Sequence, residues 1–85
     1  MIEQSIVVNR TFEAATAAQL VQNANRFKSR ISLRAAEKTA NVKSIMGIIS
    51  LGLEAGTQVT VAADGEDANE AISELVKILG EPPKQ

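Results

Sequence analysis

The chain contains no histidine and no cysteine, and two large areas of chemistry go with them. Without cysteine there is no disulfide, no thiolate metal site and no thiol nucleophile. Without histidine the usual general base near neutral pH and the commonest nitrogen ligand for metals are both missing, so no triad of the Ser-His-Asp or Cys-His type can be assembled. Tryptophan and tyrosine are absent as well, leaving Phe12 and Phe27 as the only aromatic side chains, and the formal net charge is −1. Non-specific binding to nucleic acid needs excess positive charge and aromatic platforms, and an anionic membrane surface needs the former. No apolar run approaches the roughly 20 residues of a membrane-spanning helix. The opening Met1-Ile2-Glu3-Gln4-Ser5 lacks the basic and long apolar segments of a signal peptide. The expectation is a cytoplasmic, non-enzymatic protein with no metal or cofactor.

What is present is a globular composition: 45% of the 85 residues are apolar, enough for one modest core and one domain over residues 1–85. Ile2 to Val8 is β-branched, with Ile2, Ile6 and Val8 on one face, and reads as a first strand. From Ala14 to Phe27, Ala17, Leu20, Val21, Ala24 and Phe27 recur at intervals of three and four, the pattern of an amphipathic helix. Arg30 to Arg34, with Ile31 and Leu33 inward, and the weaker alternation of Lys38 to Val42 read as second and third strands. Ala35-Ala36-Glu37 between them has none of the Asn-Gly or Asp-Gly chemistry of a two-residue hairpin, so a less tightly specified turn is expected. Ser44 can cap a short helix through Leu51, which Gly52 ends. Thr57 to Ala63, with Val59 and Val61 on one face, is the fourth strand. Asp67-Ala68-Asn69-Glu70 has the spacing of a capping box with Asp in the Ser/Thr place. It opens a last helix with a stripe of Ala68, Ile72, Leu75 and Leu79, stopped by Gly80 and Pro82-Pro83. Residues 81–85 read as a flexible tail. The order β-α-β-β-α-β-α predicts an α+β open-faced sandwich: a four-stranded antiparallel sheet with three helices on one face.

The segment Val42-Lys43-Ser44-Ile45-Met46-Gly47-Ile48-Ile49-Ser50-Leu51-Gly52 resembles the regulatory serine segment of HPr, the histidine-containing phosphocarrier of the phosphotransferase system. Gly56-Thr57-Gln58-Val59-Thr60-Val61, Asp64-Gly65-Glu66-Asp67 and, upstream, Leu20-Val21-Gln22 with Ala24, Phe27 and Ser29 extend the resemblance without gaps from Ile6 to Gly80. The family's first helix opens with a His-Ala-Arg-Pro run whose histidine carries phosphate between enzyme I and the sugar-specific enzymes II. Here those positions read Glu13-Ala14-Ala15-Thr16. The acceptor position holds a carboxylate, the arginine position Ala15 and the proline position Thr16. Phosphoryl transfer needs a reversible acceptor with cations beside it, and this site supplies negative charge instead. Glu13 is most simply a carboxylate at a helix start, favoured by the macrodipole; an acyl phosphate on it is the alternative.

The chain is thus similar to the histidine-lacking branch of the family, the Crh or catabolite repression HPr proteins. That resemblance implies phosphorylation of Ser44 by an HPr kinase/phosphorylase. It also implies a regulatory role in catabolite repression through a transcriptional regulator, with Ile45, Met46, Ile49 and Lys43 as the contact surface. It further implies a monomer, or a homodimer that exchanges its first strand through the polar link Asn9-Arg10-Thr11. From the residues alone Ser44 is a helix cap, a role compatible with phosphorylation. The five apolar residues of Ile45 to Ile49 and Leu51 exceed what one face of two helical turns can bury, so Ile48 and Leu51 are assigned to the core. Lys43 and Lys38 are expected to lend nearby positive charge. In the family fold the two phosphorylation sites adjoin, which would set Glu13 beside Ser44. The competing reading is a constitutive interaction module in which Ser44 only caps.

Overall fold

The computed structural model describes residues 1–81. The elements are β1 (Ile2–Val8), α1 (Ala14–Ala24), β2 (Arg30–Ala35), β3 (Lys38–Asn41), α2 (Ile45–Leu51), β4 (Gln58–Asp64), α3 (Ala68–Leu79) and β5 (Gly80–Glu81). All pairings are antiparallel in the spatial order β3-β2-β4-β1-β5. The α+β class and the order read from the periodicity hold, with one addition: β5 adds a two-residue fifth strand to the four expected. Its chain passes so close to β1 that a Cβ on Gly80 would lie 2.0 Å from the Val7 carbonyl oxygen, a distance only glycine permits. The Asn9 N–H donates to the Leu79 carbonyl at 3.2 Å beside it. α3 ends at Leu79, and the further stop signal at Pro82-Pro83, like most of the expected tail, lies outside the described residues.

The sheet has a dry face and a wet one because its side chains alternate. Ile6, Val8, Ile31, Leu33, Val59, Val61 and Ala63 are buried against Leu20, Ala24, Ile48, Ile72, Leu75 and Leu79 of the helices. On the other face the register sets Ser5, Thr60 and Arg34 side by side, polar groups that need no cover. No helix among the described residues is long and apolar enough to cross a membrane.

Three expectations about local structure change. First, α1 stops at Ala24 and not Phe27. The Asn23 and Asn25 side-chain amides donate to the Gln19 and Val21 carbonyls, which competes with the helical ladder. The Arg26 and Phe27 N–H groups turn to carbonyls three residues back, although Phe27 still reaches the core. Second, the β2–β3 connection is a two-residue hairpin, since Ala35 pairs with Lys38. Ala36 takes φ 56°, the left-handed conformation that costs an L-residue roughly 1–2 kcal/mol. Third, Asp67 does not close a capping box. It sits at the N-cap of α3 without bonding it. Its carboxylate accepts instead from the Lys28 N–H at 2.8 Å, the Ser29 N–H at 2.9 Å and the Ser29 hydroxyl. Those donors at the entry to β2 would otherwise need partners of their own. The Ser29 hydroxyl first, and then the Lys28 amide, hold the Asp67 carboxyl below its ordinary range.

Candidate functional site

Ser44 stands at the head of α2 in an extended conformation, φ −113° and ψ 114°, the usual geometry of an N-cap. Its Oγ accepts from the Gly47 N–H at 3.2 Å, and its carbonyl accepts from Ile48 at 3.1 Å. The approach to it is fixed by Asn41. The Asn41 carbonyl accepts from the Ser44 N–H at 3.0 Å, and its Oδ1 accepts from the Lys43 N–H at 2.9 Å. This Asx turn goes unnoticed in a reading that treats residues 41 and 42 as the tail of a strand. At the other end of α2, Gly52 takes φ 62° and ψ 48° and donates its N–H to the Ile49 carbonyl. The left-handed residue ends the helix at little cost because it has no Cβ.

Between these caps the sequence divides as its period requires. Ile48 is fully buried and Leu51 packs against the core, while Ile45, Met46 and Ile49 are 38%, 71% and 42% exposed. Positions 45, 46 and 49 share one side of a helix, so the exposed apolar groups form a single patch beginning one residue after Ser44.

The lysines are placed differently from expectation. The Lys43 ammonium donates to the Phe27 carbonyl at 2.6 Å, beyond the C-terminal end of α1, where a cation meets the negative end of the helix dipole. It is half-buried there, and the neutral carbonyl that accepts its hydrogen bond leaves its positive charge intact. Lys38 opens β3, separated by the whole strand from Asn41; at about 3.3 Å per residue that is roughly 10 Å.

Glu13 is the N-cap of α1, with φ −84° and ψ 175°. Its carbonyl accepts from Ala17 at 2.9 Å, but its exposed carboxylate caps nothing. Ala14 and Ala15 beside it are exposed and Thr16 is half-buried. Two bonds fix how this end relates to Ser44. The Phe12 N–H donates to the Leu53 carbonyl at 2.9 Å, joining the start of α1 to the end of α2. Lys43 on Phe27 joins the end of α1 to the start of α2. The helices therefore run antiparallel, and Glu13 and Ser44 are not neighbours. Seven residues of α2 span about 10 Å, more than the screening length of roughly 8 Å at physiological salt. Screening over that length weakens the expected repulsion between Glu13 and a charge on Ser44. Among the described residues no group of three His, Cys, Asp or Glu side chains is placed to hold a metal ion.

This arrangement, a serine-headed α2 and its companion helices on a β3-β2-β4-β1 sheet, corresponds to a known family. The family model PTS-HPr, described as the PTS HPr component phosphorylation site, matches residues 2–81. The chain belongs to the HPr family. The HPr-like protein Crh of Bacillus subtilis (strain 168) is 42% identical over 83 residues, which is 95% of this chain and 98% of that protein. Among solved structures, HPr-C-His of Thermoanaerobacter tengcongensis superposes with a TM-score of 0.88 at 41% identity, covering 93% of this chain and 91% of that one. A crystal structure of Bacillus subtilis Crh, described as a dimer with a swapped domain, gives a TM-score of 0.75 at 42% identity. It covers 86% of this chain and 82% of that one. Similarity to both HPr and Crh sets this chain within the phosphotransferase and catabolite-repression group of HPr-like proteins.

Proposed function

We propose that this chain is a regulatory, non-enzymatic HPr-like phosphoprotein of the cytoplasm. In this reading it has lost phosphocarrier activity and is phosphorylated on Ser44 by an HPr kinase/phosphorylase. It then acts in carbon catabolite regulation by presenting Ile45, Met46 and Ile49 to a transcriptional regulator. The observation that carries the reading is the contrast between the two helix heads. Glu13, Ala15 and Thr16 supply no acceptor, no cation and no helix-opening proline, whereas Ser44 heads an exposed apolar helix. A phosphoryl group joined to the Ser44 Oγ displaces the hydroxyl proton and brings a charge of about −1.5 to −2. It meets the positive end of α2 and the N–H groups of its first turn, so the domain accepts it without unfolding. Lys43 serves this site indirectly, by holding the 41–44 loop against α1.

Incubation with an HPr kinase and ATP, followed by intact mass measurement, tests the proposal. One phosphoryl group is expected on the wild type and none on Ser44→Ala. No addition to the wild type, or equal addition to both, refutes it. Transfer from enzyme I and phosphoenolpyruvate to the wild type, abolished by Glu13→Gln, would instead reinstate a carrier function. In the constitutive-module reading, wild type and Ser44→Asp bind the regulator equally.

The proposal extends to assembly. Asn9, Arg10 and Thr11 form an exposed link between β1 and α1, the position at which β1 exchanges between two copies, as a swapped domain does in the Crh dimer. Light scattering across a concentration series distinguishes monomer from dimer.

A further inference from the structure

We propose that Met46 is a site of reversible oxidation, at which a hydroperoxide converts the thioether to a sulfoxide and withholds Ser44 from its kinase. The withholding rests on the reading of Ser44 as a phosphoacceptor. The oxidation itself does not.

What the sequence lacks directs this chemistry. It has no cysteine, histidine, tryptophan or tyrosine, and two methionines. Thiols and thioethers are the side chains that a peroxide oxidises, so in this chain the attack falls on Met1 and Met46. Met1 precedes β1, is 80% exposed, and has its ammonium 3.9 Å from Asp64; a sulfoxide there alters the margin of the sheet. Met46 stands in the first turn of α2, two residues after Ser44. At 71% exposed it is the most open apolar side chain of that helix, whereas a core methionine is shielded by close packing.

In the oxidation the Met46 sulfur attacks one oxygen of hydrogen peroxide. An S–O bond forms as the O–O bond breaks, the sulfur gives up two electrons, and both hydrogens leave in a molecule of water. The product is polar and chiral, and sulfoxide reductases, one for each epimer, reverse the step with electrons from a thiol.

The fold is spared. The Ser44 Oγ and carbonyl accept from the Gly47 and Ile48 N–H groups, contacts in which the Met46 side chain has no share. The surface beside Ser44 is not spared. Met46 and Ile49, three residues apart, are neighbours on the helix, and the sulfoxide sets a hydrogen-bond acceptor among apolar groups. A kinase that covers Met46 in reaching Ser44 must desolvate that acceptor, at a cost unless it supplies a donor.

The test treats the full wild-type chain and Met46→Leu with hydrogen peroxide, which is then removed. Intact mass should show two added oxygen atoms on the wild type and one on the variant. Met46 should oxidise in the folded chain within about threefold of its rate in urea, because exposure governs susceptibility; protection of about tenfold or more overturns the proposal. Oxidation should shorten retention on a hydrophobic-interaction column more for the wild type than for Met46→Leu, whose shift reports Met1 alone. It should leave the urea midpoint unchanged, and the two reductases with dithiothreitol should restore retention. Equal shifts, a lowered midpoint or no recovery overturns the proposal. With HPr kinase and ATP at limiting protein concentration, the oxidised wild type should be phosphorylated at least about tenfold more slowly, the worth of one buried methionine side chain. The reductases should restore the rate, and Met46→Leu should keep its rate through peroxide treatment. Equal rates for oxidised and untreated wild type overturn the control of Ser44. If the kinase leaves the untreated chain unmodified, the Ser44 reading fails and that control with it, while mass and retention still decide the oxidation.

Discussion

Replacing Ser44 separates its work as a cap from its work as a phosphoacceptor. Its Oγ satisfies one of the N–H groups at the head of α2 that have no partner within the helix. In Ser44→Ala that acceptor is gone, and the expected loss is about 1 kcal/mol, within a range of roughly 0.5–2. For a domain of this size, 1 kcal/mol shifts the melting temperature by roughly 4–8 °C. Ser44→Gly restores no acceptor but leaves the extended conformation and water access easy, and it should cost only a few tenths of a kcal/mol. Ser44→Asp keeps an acceptor and adds a charge that the helix dipole favours by about 0.3–1 kcal/mol, so it should match or exceed the wild type. Urea unfolding of the four proteins, with midpoints compared at constant slope, gives the order Asp at or above Ser, then Gly, then Ala. If Ser44→Ala unfolds with the wild type, the hydrogen bond to Gly47 contributes nothing. If Ser44→Asp falls below Ser44→Ala, the head of α2 does not welcome negative charge, and the argument that a phosphoryl group is accepted without disruption fails.

Other variants address the remaining arguments. Ala36→Gly relieves the left-handed residue of the β2–β3 turn and should raise stability by about 1 kcal/mol, less the greater freedom glycine gives the unfolded chain; an unchanged urea midpoint would count against strain there. Ile48→Ala removes a fully buried side chain and should cost about 2–5 kcal/mol. Ile49→Ser, on the exposed side of the same helix, should leave stability within about 0.5–1 kcal/mol while weakening partner binding; equal losses at the two positions would mean that α2 is packed differently. Asp67 gives a pH signature. Its carboxyl is held low by the Ser29 hydroxyl and the Lys28 amide, so its contribution is complete above the ordinary aspartate range near pH 4 and is lost as pH falls through the lower folded value. The stability difference between wild type and Asp67→Asn should be constant near neutrality and shrink in acid; a difference that grows in acid reverses the sign and refutes the assignment.

The period of apolar residues was sufficient to place β1, β2, β4, α1 and α3, because their core faces alternate between buried and exposed. Ends were legible where a local device fixes them, as Ser44 and Gly52 do for α2. They were not where a side chain competes with the backbone, as Asn23 and Asn25 do at the end of α1. What sequence proximity could not supply was partnership across the chain. Asp67 looks like a cap until Lys28 and Ser29 arrive from 39 and 38 residues away. The Lys43 ammonium finds its hydrogen-bond partner, the Phe27 carbonyl, 16 residues away. Neighbourhood between Glu13 and Ser44 was an expectation from the family that the antiparallel helix pair does not meet, since each lies at a different end.

The narrow passage of Gly80 past β1 also bears on how the molecule can open. β1 is bonded on one side by β4 and on the other, at Val7 and Val8, by β5, and the Asn9 N–H holds the end of α3. The first strand is thus gripped by β5 at the end that leads into the Asn9-Arg10-Thr11 link. Departure of β1 in the proposed exchange breaks the bonds to β5 as well as those to β4, which makes β5 a latch on its rate and not only a margin of the sheet. Shortening the chain before Gly80 would speed the coming and going of β1 more than it would alter where the balance rests.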